Sequence, residues 1–330
     1  MAQADQSPDL SLASPLRHEV PFVFAVPLKP RGACNDWEGV QERLRHTLQS
    51  IRGGTDVNCL VVVACHDRPD LGRGQDLRLL SAPFAPEWNE RDGAQDKGRK
   101  LRLIGAWLRE HLQADGSYVM FLDCDDLVHR HLVRHVLRAA DRCCYSIEQG
   151  YMYDCRTGVL EFKDRRFFAL CGSSFIGWFS REDLPRSWDD LDNSYARFGV
   201  YPLQRGHQHY ASIAAMLGKQ VDTIPFPAVT YMVNHGDNLR AVESGKKFRE
   251  PHPFHLVWPN RAKTILHTEF SYDDRRTTSS GLARTGAFAR MVLGSTLRRI
   301  ERAAMGGLKI ANPGQVRSDF NKARSRVPWR

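Results

Sequence analysis

Long apolar runs are missing from this chain of 330 residues: none approaches the roughly 18 to 20 residues that a membrane-spanning helix needs, so no such helix is expected. The opening stretch MAQADQSPDLSLASPLRHEV lacks the basic-then-apolar order of a secretory signal, and residues 1–19 read as a disordered leader. Eight cysteines are present, yet no two stand at Cys-x-x-Cys spacing, which argues against a zinc knuckle or a dithiol redox centre. Several sit inside apolar runs, where cysteine behaves as a small hydrophobe, so reduced structural thiols of a cytoplasmic protein are the expectation. Acidic residues are nearly absent from the last fifty positions, where eleven lysines and arginines face only Glu301 and Asp319. That excess of nine equals the net charge of the whole chain, so residues 1–280 balance near zero and the basic character belongs to a C-terminal extension, 271–330.

What is present suffices for a core. A hydrophobic content of 42% with 10% aromatic residues fits a soluble globular protein rather than a disordered one. EVPFVFAVPL reads as a strand ended by Pro27 and Pro30. In DWEGVQERLRHTLQSI, the spacing of Trp37, Val40, Leu44, Leu48 and Ile51 predicts a helix, and NCLVVVAC is a second, wholly apolar strand. Strand, helix, strand with apolar strands predicts an α/β fold with a parallel sheet covered on both faces. A polar loop over 68–95 leads to the helix DKGRKLRLIGAWLREHL and the buried strand YVMFL. Further on, GYMYDCRTGVLEFK predicts a hairpin, CGSSFIGWFS a strand, HQHYASIAAMLG a helix and AVTYMV a strand entering NHGDN.

The strand YVMFL runs into DCDD. Three carboxylates at the C-terminal end of a sheet strand suit a hard divalent ion that in turn bridges phosphates. If strand geometry persists, Asp123 and Asp125 point to one side, and Asp126 is free to cap a helix starting at Leu127. An apolar strand followed by Asp-x-Asp also resembles the first motif of haloacid-dehalogenase-like phosphatases, which implies Asp123 as nucleophile and Asp125 as acid/base.

The order of motifs favours another resemblance. VPLKP after the first strand, TLQSI, VVVACHDRP, DKGRKL, FLDCDDLV and YMVNHGDN, spread over Val20 to Asn238, resemble family 2-like glycosyltransferases of the GT-A fold. That likeness implies a Rossmann-like mixed sheet flanked by helices over 20–270, divided into a nucleotide-binding half (20–126) and an acceptor half (127–270), with the basic tail beyond. It implies a DXD-type, manganese- or magnesium-dependent, inverting transferase of the hexosyltransferase type. The enzyme would move a sugar from a nucleotide-sugar donor to a glycan or lipid-linked acceptor, as in envelope or capsular polysaccharide synthesis.

By the same resemblance Pro27 and Leu28 receive the nucleotide, Asp67 binds the base and Asp123 contacts the ribose. Asp125 and His235 ligate the Mn²⁺ or Mg²⁺. Lys97 and Lys100, three apart on one helix face, suit a diphosphate. Relatives place a carboxylate base near the position of RGHQHY, but this chain has only His207 and His209 there. His207 is the first choice for the base, since imidazole has an ordinary pKa of about 6.5. Asp190 of SWDDLDN is the second, and Trp178 and Trp188 are available to stack on a sugar. A degenerate, nucleotide-binding domain without turnover is the remaining alternative. The tail suits an anionic membrane surface, placing the protein in the cytoplasm or peripherally at the inner membrane face. No nucleic-acid recognition motif accompanies its basic residues.

Overall fold

The computed structural model describes residues 22–54, 59–71, 77–86, 93–112, 114–139, 141–200, 207–237 and 255–273. The leader 1–19 and almost all of the extension 271–330 lie outside the described residues.

The chain begins with β1 (Phe22–Pro27), a 3₁₀ turn (Arg31–Ala33), α1 (Trp37–Arg52), β2 (Cys59–Cys65), β3 (Leu77–Ser81), α2 (Gly93–His111) and β4 (Gly116–Phe121). It continues through β5 (Leu127–Val128), α3 (Leu132–Ala139), β6 (Cys144–Ser146), β7 (Gly150–Asp154), β8 (Val159–Lys163) and β9 (Phe175–Ser180). The last elements are α4 (Ser194–Val200), α5 (Tyr210–Met216), β10 (Val221–Thr223), β11 (Val229–Val233) and α6 (Pro259–Phe270).

Seven strands form one mixed sheet in the order β10-β6-β9-β4-β1-β2-β3. Strands β1 to β4 are parallel, and β9 runs antiparallel between β4 and β6. Strand β1 shows why both faces are covered. Phe22, Phe24 and Val26 pack with Val40, Leu44 and Leu48 of α1 on one side, while Val23 and Ala25 pack with Leu101, Ile104 and Leu108 of α2 on the other. Each such large side chain contributes about 1.5–3 kcal/mol by leaving water. Asp36 caps α1 by accepting the Gly39 N–H at 3.0 Å.

A second sheet has the order β5-β11-β7-β8 and buries Leu127, Tyr151, Leu160 and Met232 against Ile265, Leu266 and Phe270 of α6. Its β7–β8 hairpin turns at Gly158, which has a φ of 68°, as the Thr157-Gly158 signal predicts. Among the described residues no helix is long and apolar enough to cross a membrane.

Three expectations change. The polar loop 68–95 contains an edge strand, β3, paired in parallel with β2; its half-exposed residues carry no continuous apolar signal. Asp126 caps no helix, because Leu127–Val128 is a strand and α3 starts only at Leu132. Strand geometry also stops at Phe121, and the Asp126 N–H closes a turn on the Asp123 carbonyl at 3.2 Å. Asp123 and Asp125 therefore turn to different partners.

Candidate active site

In an open parallel sheet, ligands bind outside the carboxyl ends of the strands where the strand order reverses. Here that point lies between β1, which continues to β2 and β3, and β4, which continues to β9. The ladder runs past both strand ends, with the Leu28 N–H on the Ala64 carbonyl (2.9 Å) and the Leu122 N–H on the Ala25 carbonyl (3.0 Å). Pro27, Leu28 and Asp123 thus share one edge. Pro27 ends β1, and Leu28 is buried.

The first half-site joins β4 to α2. Lys97, near the start of α2, donates to Asp123 Oδ1, and about a third of each side chain is exposed. Burial alone would lower the Lys97 ammonium, but Asp123 and its surroundings outweigh it and hold the pKa above the ordinary lysine value. Gly172 roofs this pair: a Cβ there would stand 2.8 Å from Asp123 Oδ2 and 3.3 Å from Lys97 Nζ. Tyr210 opens α5 beside the same two charges, and burial pushes its phenol up to about 12 despite the pull of Lys97.

The second half-site joins the DCDD turn to the end of β11. Antiparallel pairing of β5 with β11, Leu127 opposite Thr230, lays the turn against the residues that follow Val233. His235 Nε2 reaches Asp125 Oδ2 at 2.7 Å across 110 residues of sequence. Burial would raise the Asp125 carboxyl, but the His235 hydrogen bond, with the nearby Arg43 charge, holds it below the usual carboxylate range. Asp125, His235, Arg43, His46 and Tyr272 line one narrow cleft.

Asp126 joins the halves. Its wholly buried carboxylate accepts from Ser173 Oγ (2.6 Å), Cys171 Sγ (3.2 Å) and the Met232 N–H (3.2 Å). Burial, with the charges of Asp125 and Asp123, raises it well above the ordinary carboxyl value. Ser173 Oγ also accepts the Asp123 N–H at 2.8 Å.

The remaining predicted residues are placed as follows. Asp67 Oδ2 accepts the Arg31 N–H at 2.8 Å, tying the end of β2 to the loop after β1. Lys100 is fully buried and donates to the Leu28 carbonyl (2.7 Å) and to Asp96 (2.6 Å), which also pairs with His66 at 2.7 Å. Lys100 therefore supports the loop after β1 from beneath instead of sharing an open face with Lys97 toward a diphosphate, and burial lowers its pKa against the pull of Asp96. His207 begins the 3₁₀ turn that leads into α5, beside the 3₁₀ turn Phe167–Ala169 that precedes Gly172.

Asp190 lies elsewhere. Its oxygens accept the Arg186 (2.9 Å) and Asp192 (3.0 Å) N–H groups in a separate open cleft beside Arg109. Arg109 is twelve residues along α2 from Lys97, about 18 Å of helix. Trp188 packs on Phe84 at 4.8 Å and under Arg99, while Trp178 packs on Tyr118 at 4.8 Å and under Arg142.

Sequence reasoning missed Arg43, Gly172, Ser173, Tyr210 and Asp237. Of these, Gly172 and Ser173 sit in the quoted CGSSFIGW, and Asp237 in NHGDN. A glycine followed by hydroxyl residues just before a buried strand was the available signal.

The fold and this edge together define a class: an α/β protein with a Rossmann-like half whose charged pairs gather at the strand-order reversal. No protein-family model matches the chain, and no curated protein does. Among solved structures it is similar to the "putative nucleotide-diphospho-sugar transferase" of Desulfovibrio desulfuricans G20, with 8% identity, a TM-score of 0.33, and coverage of 83% of this chain and 96% of that one.

Proposed function

We propose that the chain is a metal-dependent, inverting glycosyltransferase that moves a sugar from a nucleotide-sugar donor to a glycan or lipid-linked acceptor. The observation that carries the reading is the convergence of Lys97–Asp123 and Asp125–His235, drawn from three separate segments, at the strand-order reversal. Among the described residues no three metal-ligating side chains gather. Asp125 and His235 would supply only two of the positions around a Mn²⁺ or Mg²⁺, the others falling to donor phosphates and water, as suits these ions. The bound ion would neutralise the leaving diphosphate.

The chain's own residues divide the rest of the work. Pro27, Leu28 and Asp67 border the nucleotide, with Lys100 fixing the Leu28 carbonyl. Asp123 accepts from the ribose, and Lys97 meets the diphosphate charge as the bond from the sugar carbon to the phosphate oxygen breaks. His207 takes the acceptor hydroxyl's proton as the new bond from that oxygen to the sugar carbon forms. The place of Asp190 in another cleft, accepting two backbone amides, supports the choice of His207 as the base.

A panel of nucleotide sugars with Mn²⁺, read by thermal shift and then by donor hydrolysis or transfer, tests the reading. Asp125→Asn is expected to abolish manganese-dependent turnover. Unchanged turnover in that variant sinks the mechanism, and an aspartyl-phosphate trapped on Asp123 replaces it with the phosphatase. Donor binding without any turnover makes the chain a binding domain. The tail, outside the described residues, is assigned an anionic membrane surface on its charge alone. Equal sedimentation with anionic vesicles with and without residues 281–330 excludes that partner.

A further inference from the structure

We propose that Asp96, a buried carboxylate in the first turn of α2, is the positioning residue for the loop after β1: it ties that loop, the end of β2 and the turn carrying Lys97 into one unit. The inference rests on the reading of this loop as the nucleotide site of the donor. Both carboxylate oxygens are engaged. Oδ2 accepts from Lys100 Nζ at 2.6 Å, and Oδ1 pairs with His66 Nε2 at 2.7 Å. An aspartate carboxylate only accepts, so the His66 ring proton sits on Nε2.

Each partner reaches one edge of the loop. Lys100 Nζ gives a second bond to the Leu28 carbonyl at 2.7 Å, where the loop leaves β1. His66 is the first residue beyond β2, and its neighbour Asp67 accepts the Arg31 N–H on Oδ2 at 2.8 Å. Leu28 and Arg31 bracket Lys29 and Pro30, so one carboxylate stands behind both edges of this stretch. The rest of the loop is held from another direction. There Asp237 Oδ1 accepts from Lys29 Nζ at 3.3 Å and from the Asn35 N–H at 2.9 Å, and its Oδ2 accepts from Arg43 Nη2 at 2.8 Å.

Burial shows what the charges are for. The Lys100 side chain is 0% exposed, Asp96 3% and His66 8%. An ion pair this deep adds little stability over an apolar pair of the same volume. What it supplies is direction: the ammonium has to aim at the Leu28 carbonyl, and the imidazole has to come from the end of β2, or a buried donor goes unsatisfied. Asp96 and Lys100 stand four apart on α2 and face inward, while Lys97, next to Asp96, turns to Asp123. The same helical turn therefore fixes the loop on one side and presents the Lys97 ammonium on the other.

The test follows amide hydrogen exchange in the full chain, read on the loop peptide, whose Leu28, Arg31, Ala33 and Cys34 N–H groups all have acceptors. The same preparations are titrated by calorimetry with uridine and guanosine diphosphate in magnesium buffer. Asp96→Asn is expected to speed loop exchange about tenfold, leave the four-stranded sheet at the wild-type rate and weaken diphosphate binding about tenfold. Loop exchange or affinity within about twofold of wild type overturns the proposal. Faster exchange spread equally over both sheets also overturns it, because the carboxylate would then serve stability alone. Should Asp96→Asn not fold, the double variant Asp96→Leu, Lys100→Met removes both buried charges at similar volume, and the same readings apply. A wild type that binds neither diphosphate defeats the nucleotide reading of the loop, and the exchange comparison then decides the positioning role by itself.

Discussion

The seven-stranded sheet and the four-stranded sheet each bring one carboxylate of the DCDD turn to the site, and they hold it with different chemistry. On the larger sheet Asp123 meets a lysine from a helix that packs directly across the strands. On the smaller one Asp125 meets a histidine delivered by the register of β5 with β11. A lysine pair is charged throughout the neutral range, whereas a histidine pair exchanges proton and ligand roles. The comparison teaches that two carboxylates of one turn can be held in different ways, the larger sheet giving Asp123 an ammonium from a helix and the smaller giving Asp125 an imidazole from a strand end.

The largest expected effect separates the two carboxylates. Asp125→Asn should lower kcat by about 10²- to 10³-fold, as removal of a transition-state stabiliser does. Asp123→Asn should mainly raise the donor KM, by about 10- to 100-fold, since it removes a charged hydrogen bond. Steady-state kinetics on both variants check the division. Identical kcat losses with unchanged KM would erase the distinction between the half-sites.

The smaller sheet should also be the acid-sensitive one. His129, just after β5, is buried against Phe226 and Phe270, and its Nδ1 accepts the His131 N–H at 3.1 Å. Burial pushes its pKa down to about 4 from an ordinary 6.5. Between those values the unfolded chain takes up a proton that the folded chain refuses, so stability falls as pH drops from about 6.5 to 4 and stays lost below. The full shift corresponds to about 3 kcal/mol. Urea unfolding at pH 7 and pH 4.5 should show this loss in the parent and much less of it in His129→Asn. Equal losses in both would place the acid sensitivity in other groups.

A smaller effect belongs to the bridge between the sheets. Ser173 accepts from the Asp123 N–H and donates to Asp126, so Ser173→Ala takes that acceptor from the Asp123 N–H and leaves Asp126 with Cys171 and Met232 alone. It should cost about 1–3 kcal/mol in urea unfolding. A cost under about 0.5 kcal/mol would mean that the turn stands without the bridge.

Legibility follows the same division. β1, α1, β2, α2 and β4 were readable because each buries a whole face or stripe, which leaves continuous apolar strands and a three-four helical spacing. β3 and β5 were not, since one is half-exposed and the other is two residues long; their place is set by partners, not by their own pattern. In the site, the DCDD turn and NHGDN stood out as polar residues at strand ends. That Asp125 and His235 meet came on a resemblance and the structure brings them together, whereas the Lys97–Asp123 ion pair is a contact the sequence did not suggest. The roles of Ser173, Arg43 and Asp237 depend on register between β5 and β11 and on loop contacts across about two hundred residues, which no local pattern encodes. Asp126 misled because an aspartate before an apolar pair looks the same whether a helix or a buried strand follows.

The smallest effect tests whether the half-sites can be disturbed separately. Gly172 lies over the Lys97–Asp123 pair, and a methyl group there would stand 2.8 Å from a carboxylate oxygen, closer than ordinary contact allows. Lys97 and Asp123 are flexible side chains about a third exposed, so they can give way without unfolding the sheet. The Asp125–His235 pair is anchored instead by the residues that follow β11. Gly172→Ala should therefore raise the donor KM about tenfold while Mn²⁺ affinity stays at the parent value. Donor titration and Mn²⁺ titration on the same preparation check it. A matching loss in both would mean that the DCDD turn moves as one body and that the larger and smaller sheets do not act independently on the ligand.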